Sequence, residues 1–269
     1  VAEAEAQAWF ETMLEKTKIN YMAMNELCSI YLAKGEKAKA DAGLKKLSGW
    51  MRDDIQAYLE FSTEYMSAGA YIEAVEMLSR IEAKGETYPM LYYYLGYLNE
   101  ILGDANKALA YYKKANTMPS DYCFPFRSEE ITILNHAMAM NPDGAKAPFY
   151  LGNLYYEHQP RLAMELWDKS AKLDPQFYIV HRNLGLAYNE INKDYAKALA
   201  SMKRAAEVYN GDARLLFEID GLHELNKLPP KDKYEFLMNN YATATKRGET
   251  LLRLITRAVE YGKYEEALN

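Results

Sequence analysis

The side chains best suited to chemistry are few and scattered. Four histidines stand at His136, His158, His181 and His223, and none is spaced as HxxxH or HExxH. No helix face would therefore gather a pair of imidazoles for a metal. His181 falls in a large-residue position of its segment, where packing is the expected role. The two cysteines, Cys28 and Cys123, lie far apart and without a CxxC pair, so they indicate neither a disulfide framework nor a zinc site and read as small apolar fillers. No GxSxG, no Walker-type loop and no Gly-rich turn after a strand occurs. The carboxylate pairs Glu129-Glu130 and Glu265-Glu266 read as solvated helix faces. These residues assign no catalytic group, no metal and no cofactor. What the sequence does supply in quantity is aromatic recognition chemistry: 24 Tyr, 8 Phe and 3 Trp among 269 residues. Tyrosine combines a large rigid contact area with a hydroxyl, which suits peptide or sugar binding. Met is also frequent, and Met13, Met22, Met24, Met51, Met66 and Met77 fall at helical positions, where core filling is the expected role.

Charge narrows the partner classes. The 32 basic and 38 acidic residues give a net charge of −6. A nucleic-acid binder needs a basic stripe, and an anionic membrane attracts basic patches, so both partners are disfavoured. No apolar run approaches the roughly 18–20 residues that span a bilayer, and the acidic, Ala-rich N-terminus is unlike a signal peptide. The sequence reads as a soluble segment. It starts at Val1 and ends at Asn269 within a helical pattern, as a fragment of a longer protein would, and it fixes neither compartment nor oligomeric state.

The elements that must position the aromatic residues follow from a repeat. Gly35, Gly69 and Gly103 recur at intervals of 34, as do Ala40, Ala74 and Ala108. Leu27, Phe61 and Leu95 each stand eight residues before the glycine. Tyr31 and Tyr65 precede it by four, where the third copy has Asn99. Residues 21–34, 55–68 and 89–102 carry apolar side chains at mixed three- and four-residue spacing, which predicts amphipathic helices. Glycine then closes each helix in a left-handed conformation that costs other residues about 1–2 kcal/mol. A second helix follows, and its alanine at 40, 74 or 108 is small enough for the paired helices to approach closely.

The pattern resembles the tetratricopeptide repeat. Residues 89–119 fit through Tyr92, Leu95-Gly96, Gly103, Ala108, Tyr112, Ala115 and Pro119. Residues 145–175 fit through Leu151-Gly152, Tyr155, Ala163, Trp167 and Asp174-Pro175, and 178–210 through Leu184-Gly185, Tyr188, Ala198 and Ala205. Copies at 21–50 and 55–84 carry Cys28 and Ser62 where glycine is usual. The resemblance implies an all-α, right-handed superhelical solenoid of antiparallel helix pairs, divided as 1–120, a connector with an extra helix at 121–142, and 143–269. In the connector, TyrCysPheProPhe (122–126) leads into a helix at about 128–140, with Ser128 as expected N-cap and Asn141-Pro142 as stop. Residues 212–240 form a degenerate copy whose short helix opens at Pro229-Pro230, and 249–269 restart the pattern.

A narrower resemblance lies in PheProPheArgSerGluGluIle (124–131), AsnProAspGlyAlaLysAlaProPheTyrLeuGlyAsnLeuTyrTyr (141–156), HisArgAsnLeuGlyLeuAlaTyr (181–188) and AspAlaArgLeuLeuPheGluIleAsp (212–220). These stretches look like the C-terminal repeats of bacterial DUF5107 proteins, which join such repeats to a β-sandwich of carbohydrate-active type. That resemblance implies a helical portion whose parent carries any sugar chemistry elsewhere.

Tetratricopeptide ligands usually meet the first helix of each pair, whose row lines a concave groove. Carried onto this sequence, that row would present Tyr93, Tyr97 and Glu100, then Phe149, Asn153 and Tyr156, then Arg182, Leu186 and Asn189. Asn153 and Asn183 stand where two asparagines of a carboxylate clamp would. Phe149 replaces its first lysine, however, and Ala213 and Phe217 stand where Lys and Arg are needed, so the clamp is not expected. The function expected is a scaffold binding a protein or peptide, which could be another domain of the same parent. The alternative is an accessory module contributing to a carbohydrate site.

Overall fold

The computed structural model describes residues 2–268. Among the described residues it is all helix and loop, without a strand. Two compact units divide the chain, 1–123 and 124–269.

The first unit holds α1 (Ala2–Thr17), α2 (Tyr21–Ala33), α3 (Lys37–Met51), α4 (Ile55–Ser67), α5 (Tyr71–Glu82), α6 (Pro89–Ile101) and α7 (Ala105–Thr117). Helices α2 and α3, α4 and α5, and α6 and α7 form the antiparallel pairs, preceded by α1 packed on α2. Short polar side chains start many of the helices by accepting from the orphan amides of the first turn. Asn20 accepts from Ala23 N at 2.8 Å, and Asp104 from Lys107 N at 3.0 Å. Gly35, Gly69 and Gly103 follow the first helix of each pair at φ of 74°, 75° and 87°, the left-handed region. Ala40, Ala74 and Ala108 are wholly buried in the second helices. The 34-residue signature thus has both its physical causes in place.

The second unit comprises α8 (Glu129–Met140), α9 (Lys146–Tyr155), α10 (Pro160–Leu173), α11 (Tyr178–Ala187), α12 (Tyr195–Val208), α13 (Ala213–Leu225), α14 (Pro230–Asn239), α15 (Tyr241–Ala244), α16 (Gly248–Tyr261) and α17 (Tyr264–Leu268). Pairs α9–α10 and α11–α12 are regular, although α11 ends in a π-helical turn at Tyr188–Asn192. The degenerate copy is a real departure: α13 packs on α14 and α16, and α14 on α16, around Leu216, Tyr234, Leu237, Leu254 and Ala258.

Glycines of the Leu-Gly pairs have a specific steric cause. A Cβ at Gly96 would sit 2.5 Å from the Tyr112 ring, at Gly152 2.5 Å from the Trp167 indole, and at Gly185 2.6 Å from Met202. Each is the point where a first helix meets the large side chain of its own partner helix.

Two local expectations are corrected. Ser128 does not cap α8: its backbone is already helical and its side chain makes no capping bond. The Glu130 carboxylate instead turns back onto the connector, its Oε2 accepting from Phe126 N at 2.7 Å and Arg127 N at 2.8 Å, while the Glu130 and Ile131 amides go to the Arg127 and Ser128 carbonyls. Its burial pushes the carboxyl pKa up, and the two amide bonds oppose that rise. His181 is not packed in the core but half-buried, with Nε2 3.1 Å from the Pro175 carbonyl.

The turn glycines give a first test. Gly103→Val forces a β-branched side chain into the left-handed region and is expected to destabilise by at least about 1 kcal/mol, read as a shift in the urea midpoint. An unchanged midpoint would show that φ at this turn does not set the pairing.

Candidate functional site

The first helices of successive pairs present the candidate surface, and each unit carries its own part of it. In the first unit, Tyr93 on α6 is a correction: it is 1% exposed, with its ring 6.5 Å from that of Tyr112. It fills the contact between α6 and α7 and offers nothing to a ligand. Tyr97 is half-buried, and burial, helped by Tyr71 and Glu100 nearby, raises its hydroxyl pKa. Glu100 accepts from the Tyr112 hydroxyl at 2.8 Å, so its carboxylate is partly committed.

In the second unit the neighbouring helices α9, α11 and α13 bring most of the expected residues together. Phe149 is again a correction, at 3% exposure against Phe177, ring centroids 4.7 Å apart and edge-on. Asn153, one turn further along α9, is only half-buried. Its Oδ1 accepts from Trp167 Nε1 at 3.1 Å and from Asn183 Nδ2 of α11 at 3.2 Å. Those two bonds orient both amides and leave the Asn153 Nδ2 donor and the Asn183 Oδ1 acceptor facing away from their shared contact. Tyr156 packs at a tilt against Trp167, ring centroids 5.1 Å apart, and donates to Glu190 at 2.7 Å. Burial first, and that carboxylate second, push its hydroxyl pKa up to about 12, so it stays a donor at neutral pH.

Arg182 is held rather than free. Its Nε donates to Glu218 Oε2 at 2.8 Å and its Nη2 to Oε1 of the same carboxylate, in the fork geometry that arginine favours. Arg214 Nε reaches the same carboxylate at 3.2 Å. Leu186 and Asn189 line a cleft of about 170 Å³ with Met202, Glu218 and Leu222. Sequence reasoning missed Glu190 and Glu218, which decide the state of Tyr156 and Arg182. Their spacing of 34 and 36 residues from those partners was the available signal.

A second cleft, of about 400 Å³, lies where the connector meets α8 and α9, lined by Phe126, Arg127, Ile131, Asn153, Glu157 and His158. Phe126 is 66% exposed, and the Arg127 guanidinium lies 4.2 Å over its ring. No group of three or more His, Cys, Asp or Glu among the described residues could hold a metal ion, and no described helix is long and apolar enough to cross a membrane.

No known family model matches the chain. Solved structures it is similar to include MamA from Desulfovibrio magneticus RS-1, at 16% identity over 72% of this chain and 96% of that one, with a TM-score of 0.39. TTC0263, described as a thermophilic TPR protein in Thermus thermophilus, gives 17% identity over 76% and 98%, with a TM-score of 0.39. YrrB, described as a TPR protein with an unusual peptide-binding site, gives 20% identity over 77% and 96%, with a TM-score of 0.33. At such values the fold assignment rests on the chain's own helix pairs.

Proposed function

We propose that the chain is a tetratricopeptide-type scaffold that binds a protein partner in extended form along its first-helix faces. The observation that carries this reading is the oriented amide pair Asn153–Asn183, flanked by Tyr156–Glu190 and Arg182–Glu218 on adjoining helices. An extended peptide presents alternating N–H and C=O groups, and a spare amide donor beside a spare amide acceptor matches that alternation. Tyr97, Glu100, Tyr156, Arg182, Leu186 and Asn189 are the remaining contacts proposed, with Tyr93 and Phe149 supporting them from within. The carbohydrate reading, and with it the DUF5107 likeness, is favoured only by the cleft beside Phe126, where an exposed ring adjoins Asn153, Glu157 and His158. Peptides selected from a random library on the intact chain test the proposal. Asn183→Ala is expected to weaken the selected peptide by at least about tenfold in isothermal titration, the cost of an unsatisfied amide bond. Unchanged affinity would defeat it. Oligosaccharide binding lost in Phe126→Ala would favour the second reading.

A further inference from the structure

The first unit carries a sharper preference than the proposed function requires. Residues 1–123 hold 13 Lys and Arg against 18 Asp and Glu, a net charge of −5, whereas 124–269 hold 19 against 20, a net of −1. Within the first unit the charges are sorted by helix. The first helices α2, α4 and α6 contain Glu26, Glu60, Glu64 and Glu100 and no Lys or Arg. Of the second helices, α3 and α7 carry Lys37, Lys39, Lys45, Lys46, Lys107, Lys113 and Lys114 against Asp41 alone, while α5 carries Glu73, Glu76 and Glu82 against Arg80. The first-helix row thus carries only acidic side chains, whereas the second-helix row carries both signs, α3 and α7 basic and α5 acidic.

On the acidic row lies a cleft of about 440 Å³ between the start of α2 and α4. Its lining is mixed: Ile19, Met22 and Ala57 over the buried Phe61 supply an apolar part, Asn20 and Tyr21 stand beside them, and Glu60 and Glu64 form a charged rim. Ile19 is 60% exposed, a large side chain at the mouth with apolar neighbours and no cover. Glu60 and Glu64 stand one turn apart on α4, both exposed, and among the described residues no Lys or Arg pairs with either. By contrast, Glu26 on the same row is engaged by the Tyr65 hydroxyl at 2.5 Å. Two unneutralised carboxylates beside an apolar floor define the missing partner by its complement: a cation next to an aliphatic group.

We propose that this cleft docks a basic amphipathic segment of a protein partner, with aliphatic side chains against Ile19 and Met22 and Lys or Arg against Glu60 and Glu64. The inference rests on the reading that first-helix faces are binding surfaces, and adds the chemistry of the partner at this one. Polar contacts here set specificity and encounter rate, and the apolar floor holds the segment in place.

Three short fluorescent peptides test it on the intact chain: an amphipathic Leu/Lys sequence, its Leu/Glu counterpart and oligolysine. The Leu/Lys peptide is expected to bind tightest, and more weakly with added salt. The double variant E60Q/E64Q, changed only at exposed positions, should lose about tenfold in affinity, as two charge pairs imply. Carbodiimide cross-links from the peptide lysines should map to Glu60 and Glu64. Equal binding of the Leu/Glu peptide or of oligolysine, or an affinity within about twofold in E60Q/E64Q, would overturn the proposal. Titrating the library-selected peptide against Asn183→Ala in parallel separates the two failures: if that peptide stays sensitive while the Leu/Lys peptide ignores E60Q/E64Q, only the basic-segment inference falls.

Discussion

Asp220→Ala is expected to loosen α13, α14 and α16 by about 3 kcal/mol, the lower end of what removing one partner of a buried ion pair costs. Asp220 is wholly buried, and both its oxygens face Arg257, with Nε–Oδ1 and Nη2–Oδ2 each at 2.9 Å. Burial disfavours the arginine charge, but the bonds to Asp220 and Glu260 outweigh it and raise its pKa above the ordinary value. Glu224 and Glu260 still touch Arg257 Nη1, at 2.9 and 2.8 Å, which is why the loss stays at the lower end. Lys233 closes the network by donating to Glu224 at 2.7 Å, and that bond lowers the Glu224 pKa. Stability in a helical array is local, so the effect belongs in amide exchange of α13 and α16, where protection should fall by roughly two orders of magnitude. Replacing both partners, Asp220→Leu with Arg257→Met, should recover most of it, because no charge is then left buried alone. Equal losses in the single and double variants would show that the pair is not what these helices depend on.

The second large effect is acid sensitivity of the same helices. His223 is 1% exposed, its two ring nitrogens have no hydrogen-bond partner, and its ring meets Phe236 edge-on at 4.8 Å. Burial lowers its pKa to about 4; Lys203 and Arg257 add to the shift, and Asp220 and Asp232 oppose it. The unfolded chain takes up this proton near pH 6.5, and the folded one resists it until about pH 4. Between those values the unfolded state binds more protons, so stability rises with pH and is fully present above about 6.5. On falling to pH 4 the loss approaches about 3 kcal/mol, because each tenfold difference in proton affinity is worth about 1.4 kcal/mol. His223→Phe removes the group and should flatten the urea midpoint across that window. A midpoint that still falls equally would place the acid sensitivity elsewhere.

The two variants fall in the part of the chain that was hardest to see. The helix pairs were legible because steric needs repeat: a turn glycine with positive φ, an alanine with no room for a larger side chain, and a Leu-Gly pair whose glycine admits Tyr112, Trp167 or Met202. Residues 212–247 lack those marks, and they are tied to α16 by Asp220 on Arg257 and by Lys233 on Glu224 and Glu260, long-range pairings with no period to betray them. The candidate site was half legible for a related reason. Helical spacing finds the row of residues but not their depth, so Tyr93 and Phe149 were placed on the right helices but at the surface, whereas they lie in the interior. Nor does spacing show that Arg182 is already held by Glu218. Ser128 misled because a residue can have the right type for a cap and still take up helical backbone angles, which leaves its side chain without a capping bond.

The claim on which the function turns is that a partner lies along the first helices. Hydrogen exchange of the intact chain, with and without a saturating library-selected peptide, reads it directly. Added protection should concentrate in α9, α11 and α13 and leave α10 and α12 as they were. Protection confined to α10 and α12, or to the connector beside Phe126, would contradict it.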